Sequence, residues 1–196
     1  MYKWGGIQLE IPTQVFHPGF FSSTQMLLQY INRLSLQSQR LLELGAGSGL
    51  ISIHATKQGA VVTATDINHI AIKYLHSNSL QNNVHLEIIQ SDLFAQIPGQ
   101  SFDIIAINPP YYKKQPTTLR DFAWFCGENG EYYSGLFSQL ADFIHDKTET
   151  IMVLCDGCDI KMIETLASGN GLKLQLMLTK QNMLEKNFIY KIVKDK

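Results

Sequence analysis

From residue 40 onward, short apolar runs alternate with segments of helical period. That alternation predicts βαβ units around a parallel sheet. Residues 40–44 form a first strand, 48–58 a helix and 60–65 a second strand. Residues 68–82 carry a helical pattern, with Ile70, Tyr74 and Leu75 available for one face. A third strand is expected at 85–90 and a fourth at 102–107. The fourth is almost wholly apolar, as a strand covered on both faces should be. After a long irregular segment, 132–146 has helical character, 150–154 is a fifth strand and 160–168 another helix. The rhythm then changes: 172–179 and 187–193 are strand-like with no helix between them, so the sheet should end in an antiparallel hairpin. Upstream, Gly5-Gly6 can turn a small hairpin between Tyr2 and Ile11. Met26, Leu27, Tyr30, Ile31 and Leu34 place a helix over 24–34.

Composition narrows the class. A chain of 196 residues with 45% hydrophobic and 17% charged residues is expected to form one globular domain. No apolar run approaches the roughly 20 residues that span a bilayer. The first residues lack the apolar core of a signal peptide, so a cytoplasmic protein without a membrane partner is expected. The net charge of -1 gives no general affinity for phosphate backbones, although a local basic patch is compatible with it. Three cysteines fit reduced thiols better than a disulfide framework.

Candidate chemistry begins at Glu43-Leu44-Gly45-Ala46-Gly47-Ser48-Gly49, between the first strand and the first helix. Glycines there permit positive φ and close approach to a ligand, and the helix start offers free N–H groups. Asp66 ends the second strand 21 residues after Gly45, with Ile67 beside it, and can accept hydrogen bonds from ribose hydroxyls. It can equally serve as a helix N-cap, a role open also to Asn68. Asp92, followed by Leu93, succeeds the third strand. It can face an adenine amino group with Leu93 against the ring, or simply cap its loop. These features suit any adenosine-bearing ligand. A dinucleotide site usually spaces its third glycine one residue later, and the Glu43 carboxylate would repel a diphosphate but suit a cationic ligand.

Asn108-Pro109-Pro110-Tyr111 begins where the fourth strand stops, at the carboxyl edge of the sheet. Two prolines stiffen the segment and remove two donors. What remains are acceptors, the Asn108 side-chain oxygen and the Pro109 carbonyl. A planar –NH2 has two N–H donors, which two fixed acceptors can hold and aim. Tyr111 can stack on a flat acceptor.

Together these motifs resemble those of class I S-adenosylmethionine-dependent methyltransferases, in the branch acting on adenine N6, guanine N2 or glutamine side chains. The chain is similar above all to the HemK group of protein-glutamine N5-methyltransferases, which act on translation release factors. Val15-Phe16-His17-Pro18-Gly19-Phe20-Phe21-Ser22-Ser23-Thr24 resembles that group's pre-helix segment, and Cys126-Gly127-Glu128-Asn129-Gly130-Glu131-Tyr132-Tyr133 its Gly-Gly-Glu-x-Gly stretch. The resemblance spans about residues 15 to 194. It implies a Rossmann-like α/β fold with seven strands in the order 3-2-1-4-5-7-6, the last antiparallel, and helices on both faces. It implies a methyltransferase domain over 40–196, with residues 1–39 packed on the cofactor site. S-adenosylmethionine would be bound by Thr24, Glu43, Gly45, Ala46, Gly47, Gly49, Asp66, Ile67, Asp92, Leu93 and Asn108. Asn108, Pro109, Pro110 and Tyr111 would carry direct methyl transfer without a metal. The helical domain of bacterial HemK enzymes is not expected here. The chain looks more like the single-domain branch, some members of which need a small zinc-binding activator protein. Gly19-Phe20 also replaces the acidic residue that usually follows the proline.

Other readings stay open. Lys113, Lys114, Arg120, Phe122, Trp124 and Phe125 lie in one stretch that can grip nucleic acid, fold over a peptide, or simply pin a loop. An RNA or DNA amino-nitrogen methyltransferase, a non-catalytic cofactor-binding module and an NAD enzyme are the alternatives. Cys155-Asp156-Gly157-Cys158 has redox or zinc spacing, but one such pair does not complete a zinc site.

Overall fold

The computed structural model describes residues 1–20, 22–182 and 185–195; Phe21, within the pre-helix segment, lies outside the described residues. A small antiparallel hairpin, β1 (Tyr2–Trp4) and β2 (Ile7–Leu9), turns at Gly5-Gly6 and leads to α1 (Ser22–Ile31). There follow β3 (Arg40–Leu44), α2 (Leu50–Lys57), β4 (Val61–Asp66), α3 (His69–Gln81), β5 (Glu87–Gln90) and β6 (Phe102–Ile107). After an irregular stretch come α4 (Glu131–Leu140), β7 (Ile144–Cys155), α5 (Ile160–Ser168), β8 (Leu172–Gln181) and β9 (Lys186–Lys194). The large sheet has the order β5-β4-β3-β6-β7-β9-β8. Counted from β3, this is the expected 3-2-1-4-5-7-6. β9 runs antiparallel to both of its neighbours, and the other pairings are parallel.

Strand alternation divides the core into two layers. Leu41, Ile104 and Ala106 face Leu27, Ile31, Leu50 and Ile53 on one side of the sheet. Leu42, Leu44, Ile105 and Ile107 face Phe94, Tyr133, Phe137 and Ile163 on the other. Each of these side chains is buried, so the central strands are apolar on both faces.

Several boundaries differ from the sequence pattern. α4 stops at Leu140 instead of running to residue 146, and a short 3₁₀ turn, Ala141–Phe143, leads directly into β7. Pairing with β6 decides this: Ile144 lies opposite Phe102, a bulge follows, and Thr148 Oγ1 donates to the Phe102 carbonyl at 2.7 Å. α1 begins two residues early and ends at Ile31. α2 starts at Leu50 because Gly49 adopts φ 84°.

The N-terminal hairpin is fastened to α3 by two carboxamides. Asn82 exchanges hydrogen bonds with the Gln8 amide (3.0 Å) and carbonyl (2.7 Å). Asn78 does the same with Glu10 (2.8 and 3.1 Å) and also donates to the Ser48 carbonyl in the glycine loop at 2.9 Å. Among the described residues no helix is long and apolar enough to cross a membrane.

Candidate functional site

The carboxyl ends of β3, β4, β5 and β6 open into one cavity of about 460 Å³, within the usual range for small-molecule sites. Its floor is the glycine loop. Gly45 and Gly47 have φ of 72° and 55°, which L side chains adopt only with strain. A Cβ at Gly45 would meet nothing within 4 Å, so the space above this residue is open to a ligand. Gly49 differs. It does not line the cavity, and a Cβ there would stand 2.2 Å from Leu75 Cδ1. Its task is to let α2 pack against α3.

Two acidic residues stand at this floor. Asp66 Oδ2 accepts from the Gly47 amide at 2.9 Å and Oδ1 from the Asn68 amide at 2.8 Å. A carboxylate has about four acceptor positions, so capacity remains for hydroxyls of a ligand. The α3 cap belongs to Asn68, whose side chain accepts from the Ile70 amide. Burial raises the Asp66 pKa, and the Asn68 and Gly47 amides oppose the rise. Glu43 is buried and accepts from both the amide and the hydroxyl of Ser52 in the first turn of α2. Burial pushes its carboxyl up to about 8, opposed by the Ser52 hydrogen bonds and aided by the nearby Asp66 charge. Glu43 thus satisfies a helix terminus that Gly49 has no side chain to cap.

Ile67, Asp92 and Leu93 complete this end. Asp92 does not cap its loop. That work falls to Ser91, whose hydroxyl donates to the Leu93 carbonyl (2.8 Å) and accepts from the Gln96 amide (3.1 Å). The Asp92 side chain is left exposed at the cavity. Leu93 has φ 48°, a strained value for a branched side chain.

At the opposite end stands the segment after β6. The Asn108 carboxamide is held on both sides: Nδ2 donates to Thr24 Oγ1 at 3.2 Å, and Oδ1 accepts from the Tyr111 hydroxyl at 2.7 Å. The Pro110 carbonyl accepts from the buried Tyr133 hydroxyl at 3.0 Å. Among the described residues none donates to the Pro109 carbonyl. One lone pair of Asn108 Oδ1 and the Pro109 carbonyl are therefore the acceptors this segment offers. Burial raises the Tyr111 pKa well above its ordinary value, so it remains a phenol. The following loop is closed at its base. The Tyr111 and Tyr112 amides both donate to the Trp124 carbonyl (3.0 and 2.9 Å), and the Cys126 amide to the Tyr112 carbonyl (2.9 Å). Phe16 packs against Trp124 with ring centroids 5.3 Å apart, joining the pre-helix segment to this loop at the cavity.

Every predicted site residue except Gly49 lines the cavity. Sequence reasoning missed Tyr132, Gly135 and Gln139, all on α4. A Cβ at Gly135 would lie 2.9 Å from Leu93 Cδ1, so this glycine lets α4 approach the β5 loop. Burial, followed by the Asp66 and Asp92 charges, raises the Tyr132 pKa. No hydrogen bond to its hydroxyl forms among the described residues. The only signal was its place in the Gly-rich stretch before α4, which does not reveal which way the side chain points. Among the described residues no group of three His, Cys, Asp or Glu side chains gathers as a metal site would.

Residues 13–126 match the family described as the methyltransferase small domain. The release factor glutamine methyltransferase of Rhodopirellula baltica is 33% identical over 149 residues, covering 68% of this chain and 50% of that protein. The ribosomal RNA small subunit methyltransferase C of Haemophilus influenzae is 32% identical over 130 residues, covering 58% of this chain and 38% of its own. The chain thus spans about half the length, or less, of these curated relatives. Among solved structures, the E. cuniculi Mtq2-Trm112 complex, described as methylating the eRF1 termination factor, superimposes with a TM-score of 0.69 at 19% identity, covering 93% of this chain and 99% of that one. At that identity the likeness is one of fold.

Proposed function

The chain belongs to the methyltransferase small domain family, and from that premise we propose that it methylates a planar amide nitrogen, the glutamine side chain of a release factor or similar protein, using S-adenosylmethionine. The observation that supports this reading is that Asn108 and Pro109 line the same cavity as the glycine loop and Asp66.

The cavity's own chemistry fits the cofactor. Open space above Gly45 accommodates backbone approach and Asp66 retains acceptor capacity for a ribose, whereas Glu43, kept protonated near neutral pH by burial, sets no charge against a diphosphate. When bound, S-adenosylmethionine supplies an electrophilic methyl group on a sulfonium. The residues of this chain do the rest. Asp66, Asp92 and Leu93 hold the nucleoside end, and Glu43 with Thr24 the amino-acid end. Asn108 Oδ1 and the Pro109 carbonyl accept the two N–H groups of the amide, aim its nitrogen and favour the positive charge that develops on it. Thr24 and the Tyr111 hydroxyl keep the Asn108 carboxamide in one orientation, and Tyr133 anchors Pro110. Phe16 and Trp124 bound the acceptor entrance. Residues 1–39 act as a cap on a catalytic domain of 40–196, in a cytoplasmic enzyme.

A nucleic-acid acceptor is the second reading, favoured by the aromatic side chains at the entrance and by the ribosomal RNA relative. The basic residues support it less. Lys113 is paired with Asp159 at 3.1 Å, and Lys114 lies over the Phe125 ring at 4.8 Å. The test is incubation with methyl-labelled S-adenosylmethionine, recombinant release factors and total RNA, with and without a Trm112-type activator protein, the second partner we propose. Label on a release-factor glutamine supports the reading. Label confined to RNA selects the alternative. Absence of label with every acceptor points to a non-catalytic binding module.

A further inference from the structure

The methyl-transfer reading leaves Cys155 and Cys158 without a role, and they are placed too specifically for two small core residues. The sulfurs lie 3.8 Å apart across the turn that follows β7. The turn closes through the Cys158 amide on the Cys155 carbonyl at 3.1 Å. Such a turn brings its end Cα atoms to within about 7 Å, overlapping the separation that disulfides span. Backbone amides point at both sulfurs. The Cys155 N–H donates to Cys158 Sγ at 3.4 Å, and the Gly157 N–H faces Cys155 Sγ. Gly157 packs closely here, since a Cβ there would press on the Tyr112 ring at 3.1 Å and touch Cys155 Sγ at 3.5 Å. Asp156 and Gly157 at the turn tip are exposed, so local opening brings the pair to solvent.

We infer that Cys155 and Cys158 are a dithiol modification site, converted to an internal disulfide by low-molecular-weight disulfides and restored by thiols. The hydrogen bond from Cys158 lowers the Cys155 pKa, and the same bond raises that of Cys158, so Cys155 is the attacking thiol. Its thiolate forms a bond to one sulfur of the oxidant, whose other half leaves as a thiolate and takes up a proton. Cys158 then loses its proton and attacks Cys155 Sγ, releasing the second thiol. The protein loses two hydrogens and the oxidant becomes two thiols. Cys126 lacks such a partner. Its thiol donates to the Tyr112 carbonyl at 3.4 Å, and burial raises its pKa.

The test equilibrates the folded chain in mixtures of reduced and oxidised glutathione, then quenches with acid, blocks with N-ethylmaleimide and digests with trypsin. Both cysteines fall in the peptide 148–161, and Cys126 in 121–147. The expected result is a 148–161 peptide lighter by two hydrogens and unlabelled in oxidised mixtures, doubly labelled after reduction, with Cys126 labelled throughout. In Cys158→Ser the intermediate should persist as a glutathione adduct on Cys155. Double labelling of 148–161 in every mixture, or adducts accumulating on the native pair without an internal bond, would overturn the assignment. Neither readout depends on methyl transfer.

Discussion

The two ends of the cavity are built differently. The end formed by β3, β4 and the glycine loop is made of backbone conformations and two carboxyls, one buried and one half-buried, fixed by residues close in sequence: Asp66 by Gly47 and Asn68, Glu43 by Ser52. The end at Asn108 is made of side chains and carbonyls held by residues far apart: Asn108 by Thr24, and Trp124 against Phe16. On the proposed reading the first end takes the cofactor, and strand and helix termini suffice to shape it. The second would meet the proposed acceptor, and it is assembled from two loops that can vary without disturbing the sheet.

The largest expected effect breaks the second end alone. Asn108→Ala removes one of the two proposed acceptors and should lower the rate of methyl transfer at saturating cofactor by about 10²-fold, the usual loss for one preorganised hydrogen-bonding group. Cofactor affinity should change by less than a factor of about 10. Steady-state kinetics beside calorimetric titration separates the two.

The first end should reveal itself through pH. Glu43 has its carboxyl raised from 4.5 to about 8 by burial. Between these values the unfolded chain has released this proton and the folded chain keeps it. The contribution of Glu43 to stability therefore falls as pH rises through this window and levels off above about 8. Glu43→Gln keeps an oxygen for Ser52 and lacks the charge. Relative to the unsubstituted chain its melting temperature should rise progressively from pH 5 to pH 8.5, a gain on the order of a few kcal/mol. A constant difference across that range would show that Glu43 is ionised in the folded protein.

Two glycines sharpen the contrast between scaffold and site. Gly49→Ala forces a Cβ into Leu75 at φ 84° and should cost about 2 kcal/mol or more. Gly45→Ala, at φ 72° with open space around it, should cost about 1 kcal/mol while weakening cofactor binding more than Gly49→Ala does. Denaturant unfolding and ligand titration of the pair measure both. The smallest effect belongs to Tyr132→Phe. Loss of a hydroxyl that lies in the cavity near Asp66 and Asp92 should weaken nucleoside binding roughly 3- to 10-fold without lowering the melting temperature.

The sequence was most readable where structure is local. The alternation from residue 40 predicts the parallel sheet and its closing antiparallel hairpin, the family resemblance implies the strand order, and Gly45, Gly47, Asp66 and Asp92 stand out by their positions at strand ends. Gly49 shows the limit, since one glycine run serves both a ligand and a helix contact and only Leu75 tells them apart. α4 was overextended because the pull of β6 on Ile144 outweighs helical periodicity, and that pairing is not visible within the segment. Tyr111 looked like a stacking platform, and its hydroxyl is also the hydrogen-bond partner of Asn108. Tyr132 was missed because its orientation depends on how α4 meets Leu93 through Gly135.

The most direct test of this division is equilibrium binding of S-adenosylhomocysteine to the Asp66→Ala and Asn108→Ala variants beside the unsubstituted chain. The account predicts one bound molecule per chain, affinity lowered at least about 10-fold in Asp66→Ala, and affinity largely kept in Asn108→Ala. Equal loss in both variants, or undiminished binding in Asp66→Ala, would contradict it.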